Sequence, residues 1–226
     1  VRVLQDISST PRYAYGQRVG LYNQLANAFL GQRRLIDAEY WARESVVLAI
    51  NREGVNSAST CFALLTLSKI ISEQGRQAEA VMLSQAALKV AMQSTNYSAS
   101  PLIAAARKAL GTSLAADGRY VQADKIFNEM VDGIKSDPEL ASSYQSGDLD
   151  WAIALVKTGK APQAVTMTAD MLSKAGARME KSSSRLAAIR AFNASALEVR
   201  ARCTPLPRAR SAIWKASAAA APEESV

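Results

Sequence analysis

The sequence predicts an all-α fold made of stacked antiparallel helix pairs, and three observations carry that prediction. Residues that favour helix dominate: Ala, Leu, Gln and Arg are plentiful, while the 11 Gly and 7 Pro leave few interruptions. A block recurs four times without gaps, starting at Leu25, Leu67, Leu110 and Trp151. Proline also follows a capping residue at Thr10-Pro11, Ser100-Pro101 and Asp137-Pro138, the arrangement that opens a helix.

The blocks read LANAFLGQRRLIDAEYWARESV, LSKIISEQGRQAEAVMLSQAAL, LGTSLAADGRYVQADKIFNEMV and WAIALVKTGKAPQAVTMTADML. Ala38, Ala80, Ala123 and Ala164 are equivalent, at intervals of 42, 43 and 41 residues. A small residue recurs at Ala26, Ser68, Gly111 and Ala152, where one backbone must approach its neighbour closely. Large apolar residues flank it, at Leu25, Leu67, Leu110 and Trp151 and again at Phe29, Ile71, Leu114 and Leu155. The turn position reads Arg33, Gly75, Gly118 and Gly159, and glycine there supplies the left-handed backbone that ends a helix. The three X-Pro pairs open the first helices of repeats one, three and four, and Asn56-Ser57 or Ser59 caps that of repeat two. A fifth first helix follows over Arg185–Leu197, with Phe192 in the large column. Pro205 and Pro207 spoil its partner, leaving a shorter helix from Pro207 to about Ala220 that packs Ile213 and Trp214. The expected organisation is four helix pairs with a lead-in over 1–181, an incomplete fifth pair or C-terminal cap over 182–221, and a disordered tail over 222–226.

These columns resemble the tetratricopeptide repeat from about Leu21 to Met179. The spacing departs from the usual ~34 residues, and long repeats of this kind resemble the kinesin-light-chain subtype. AEYWARESVVLA and WAIALVKTGKAPQAV also resemble the repeat arrays that precede caspase-like CHAT protease domains in bacteria. The protease's His–Cys pair is absent here, so an autoregulatory role toward such a domain would need further chain.

The resemblance implies a right-handed superhelical solenoid whose first helices line a concave groove. The groove positions it implies are Asn23 and Asn27, Leu65 and Lys69, Lys108 and Thr112, Leu149 and Ile153, then Arg190 and Ala194. Asparagine amides bond an extended backbone, and spaced cations attract carboxylates. The expected partner is therefore a protein or peptide segment of acidic character. Trp41, Trp151, Met130, Met171 and Cys61 are expected in the core.

Composition argues against chemistry. There is no His, which removes the most common general base and zinc ligand. Asp148 and Asp150 flank Leu149 on a helix and are expected to point apart, and no phosphate loop, dinucleotide fingerprint or zinc-protease motif occurs. No enzyme activity, metal or cofactor is expected. Cys61 and Cys203 fit a reducing, cytoplasmic setting slightly better than a disulfide scaffold, with their pairing left open. No apolar run reaches the ~20 residues of a membrane span.

The net charge of +7 is concentrated: residues 172–215 hold ten Lys/Arg against Glu180 and Glu198, so the remainder sums to −1. Nucleic-acid binding is thus a second, less favoured reading, because the bases spread over several elements with few aromatic platforms. An uncapped apolar end of the array would allow weak self-association.

Overall fold

The computed structural model describes residues 15–94, 99–143, 148–176 and 184–203, and among these every regular element is an α-helix. Repeat one comprises α1 (Tyr15–Gly31) and α2 (Leu35–Glu53). Repeat two comprises α3 (Ala58–Glu73) and α4 (Gln77–Gln93), and repeat three α5 (Ala99–Ala116) and α6 (Tyr120–Lys135). Repeat four holds α7 (Pro138–Ser143), α8 (Leu149–Lys157) and α9 (Ala161–Gly176), and α10 (Ser184–Cys203) follows.

The two helices of each repeat pack on each other, and each second helix packs on the next first helix. Successive first helices also touch, α1 on α3, α3 on α5 and α5 on α8, whereas successive second helices make no comparable contact. Closer spacing on one side than the other curves the stack, with the first helices on the inside.

The repeat columns explain the packing. Ala38, Ala80, Ala123 and Ala164 are all fully buried, as are Ala26 and Ala152 in the small column. At Gly111 a Cβ would lie 2.7 Å from the Phe127 ring, so glycine is what allows α6 to close on α5. The turn glycines Gly75, Gly118 and Gly159 have φ of 82°, 79° and 79°, and Arg33 takes the same left-handed turn with φ 60°. At each turn the helix end is closed by backbone bonds, such as Arg119 N to Leu114 O at 2.9 Å and Lys160 N to Leu155 O at 2.8 Å.

Ser57 caps α3 by accepting from Thr60 N at 3.1 Å. Thr10-Pro11 lies outside the described residues. The first helix of repeat four departs from expectation, because Asp137 caps only the short α7, accepting from Leu140 N at 3.1 Å. A second cap at Asp148, accepting from Asp150 N at 3.0 Å, then starts α8. The four residues between α7 and that cap, 144–147, lie outside the described residues.

Trp151, Met130, Met171 and Cys61 are buried, and Trp41 is half-buried against Tyr22 and Tyr40. Trp151 stacks on Phe127, their ring centroids 5.5 Å apart.

Candidate functional site

The inner row of first helices brings the expected groove residues onto one surface. On α1, Asn23 is half-buried and Asn27 exposed, and Asn27 Nδ2 donates to the Asn23 carbonyl at 2.9 Å. Asn23 Oδ1 is shielded from solvent and has no donor among the described residues. On α3, Leu65 is half-buried while Lys69 is exposed and makes no ion pair among the described residues. Leu149 and Ile153 are half-buried on α8, and Arg190 and Ala194 are exposed on α10.

Lys108 differs from Lys69. Its Nζ lies 3.0 Å from Asp148 Oδ2, and Thr112 one turn along α5 hydrogen-bonds Asp150. Asp148 and Asp150 do not point apart, because Asp148 is the extended N-cap residue of α8 (φ −142°, ψ 140°) rather than a helical one. Both carboxylates therefore meet α5. Burial pushes the Asp150 carboxyl above its ordinary value and Asp148 adds like-charge repulsion, against the opposing pull of Thr112 and Lys108. Of the three spaced cations, the middle one is thus already matched by the chain's own acid.

A basic residue follows each turn at Arg34, Arg76, Arg119 and Lys160, a column with a role beyond solvation. Arg76 of repeat two bonds Glu39 of repeat one at 2.9 Å, and Lys160 of repeat four bonds Asp124 of repeat three. Glu39 and Asp124 each directly follow the invariant alanine of their own block. Repeat two has Val81 there, and Arg119 turns instead to Asp117 at 2.7 Å. Asp124 also accepts from Trp151 Nε1 at 2.8 Å and Asn128 Nδ2 at 3.0 Å. Burial works to raise its carboxyl, but the bonds from Lys160 and Trp151 carry it below its ordinary value. Glu39 behaves alike: burial opposes, while Gln74, Arg43 and Arg76 pull it down. The joint between repeats two and three is made differently, by a buried hydroxyl seam: Ser68 to Ser84 at 2.6 Å and Ser84 to Ser113 at 2.9 Å.

Of the basic residues in 172–215, Lys174 pairs with Asp170 and Arg190 is exposed; the other side chains lie outside the described residues. No described helix is long and apolar enough to cross a membrane.

This geometry, paired helices with contiguous first helices, is that of a TPR-like repeat solenoid. Among solved structures the chain is similar to the kinesin light chain with nearly identical TPR-like repeats from Podosopora anserina, at TM-score 0.62 and 15% identity over 82% of this chain and 88% of that one. It is also similar to a point variant of that protein, at TM-score 0.64 and 14% identity over 85% and 91%. At that identity the likeness is one of fold. No protein-family model matches the sequence, and no curated protein does.

Proposed function

We propose that this chain is a non-catalytic module that binds a protein or peptide segment along the inner face of its first helices. The observation that carries this reading is the contiguous row α1–α3–α5–α8, which presents polar side chains not consumed by the chain's own packing. Lys69 is exposed without an ion-pair partner among the described residues, and Asn27 is exposed one turn from Asn23. Rotation of Asn23 about its side-chain torsions would let an incoming backbone N–H reach its orphaned Oδ1.

The partner is an extended or helical segment with an acidic residue opposite Lys69 and, toward the far end, opposite Arg190. At Lys108 a partner carboxylate has to compete with Asp148. Leu149 and Ile153 offer a short apolar contact beyond that pair. The fold argument favours binding over catalysis, since helical-repeat solenoids use extended concave surfaces for recognition.

The test is titration of fluorescent acidic peptides, selected from a library on the wild-type chain, against Lys69→Ala and Asn27→Ala. Loss of one charge-assisted bond should raise Kd by about tenfold, corresponding to ~1.4 kcal/mol. An unchanged Kd for both variants at low salt would reject the groove assignment.

A further inference from the structure

The outer side of α2 carries a second surface, away from the inner row. Ile36, Tyr40, Arg43, Val47 and Ile50 follow one another at spacings of 4, 3, 4 and 3 residues, which aligns them along one helical stripe. The opposite face of α2 is its core face, holding the buried Ala38, Ala42, Ser45 and Ala49. All four apolar members of the stripe are exposed, Ile36 at 84%, Tyr40 at 56%, Val47 at 53% and Ile50 at 37%. In repeat two the columns of Tyr40 and Ile50 hold Met82 and Met92, also exposed, whereas in repeat three they hold Lys125 and Lys135. The full apolar stripe therefore occurs on α2 alone, since the Val47 column holds Lys89 in repeat two and repeat three keeps only the exposed Val121, in the Ile36 column. A contiguous patch of this kind marks an interaction surface.

We propose that α2 of a second copy of this chain covers this stripe, antiparallel, about a two-fold axis between Arg43 and Glu44. The order of residues carries the argument. An isologous contact needs a surface that complements itself when reversed, because residue i meets j and j meets i. The stripe has this property: Ile36 of one copy falls near Ile50 of the other, Tyr40 near Val47, and Arg43 near Glu44. The charges at the centre also match. Glu44 is exposed with no partner among the described residues. Arg43 engages Glu39 and Glu79 through Nε and Nη2, at 2.8 and 3.1 Å, which leaves the donors of Nη1 for the partner's Glu44. Two reciprocal ion pairs then sit at the axis, flanked by apolar contacts over ~21 Å of helix.

Sedimentation of the full chain over roughly 1–200 µM should show the mass rising from 24.2 kDa toward twice that value. Val47→Glu and Glu44→Arg, both at exposed positions, should each weaken dimerisation by about tenfold or more while circular dichroism stays unchanged. The two-fold geometry makes a sharper demand. Arg43→Glu makes all four side chains at the centre acidic and Glu44→Arg makes all four basic, so each variant alone should be monomeric and their mixture should form heterodimers. A wild-type chain that stays monomeric, a dimer that Val47→Glu leaves intact, or a mixture no better than its components would overturn the proposal. Should Val47→Glu lose helicity, Glu44→Arg and the mixture still decide it.

Discussion

Asp124 shows how one side chain holds several elements. Its carboxylate, on α6, collects the Trp151 indole from α8 and the Lys160 ammonium from the following turn. Asp124→Ala should cost ~1–3 kcal/mol, because a buried indole N–H loses its acceptor; the check is a lower denaturant midpoint at unchanged slope. The two helical glycines of repeat three should respond differently to alanine. At Gly111 the new Cβ meets the buried Phe127 ring at 2.7 Å, and overpacking of ~1–3 kcal/mol exceeds the ~1 kcal/mol gained in helix propensity. At Gly133 it meets only the far end of Arg107 at 2.9 Å, which can swing aside at the loss of a 3.1 Å bond to the Glu129 carbonyl, so Gly133→Ala should be at most mildly stabilising. Cys61, raised by burial to about 11, donates to the Ala87 carbonyl at 3.4 Å. In a Cys203→Ser background, its alkylation should be slow in the folded chain and fast in urea.

At the scale of elements, the turns test the repeat register. Three use glycine at φ near 80°, and Arg33 adopts φ 60° with a side chain in the way. Arg33→Gly should therefore be stabilising and Gly118→Ala destabilising, each by about 1 kcal/mol, measured by thermal melts. The Arg33–Glu73 pair lost in the first case is largely exposed and weighs little. The turn and alanine columns were legible in sequence because each performs one local task four times over. Asp148 misled for the converse reason: an i, i+2 pair points apart inside a helix, but an extended N-cap residue obeys a different geometry. The Glu39–Arg76 and Asp124–Lys160 bonds were hidden too, since a surface acid is compatible with many partners until the stacking order is known.

Across the whole molecule, acidity should act unevenly. Glu39 and Asp124 are held below their ordinary values of 4.5 and 3.8, so their stabilisation is complete above those values. It is lost as pH falls through the lower, folded ones. Asp150 is raised and works the other way: its ionised form is unfavourable in the folded chain, and acid relieves that strain first. Hydrogen exchange at pH 7 and pH 3 should show protection falling most where α2 meets α3 and α6 meets α8. It should persist between α4 and α5, where the serine hydroxyls do not titrate.

The serine seam has a mechanical consequence as well. Its hydroxyls lie at the centre of the stack, with Ser84 fully buried, whereas Arg76 and Lys160 tie neighbouring repeats at the rim, both well exposed. A tie far from the bending axis resists rotation through a long lever arm, and one close to it resists little. Rim ion pairs therefore resist rotation between repeats one and two and between three and four. The joint between repeats two and three, which lies between Lys69 and Lys108, relies on helix packing and the seam. Any bending at that joint would alter the spacing of those two lysines along the inner face.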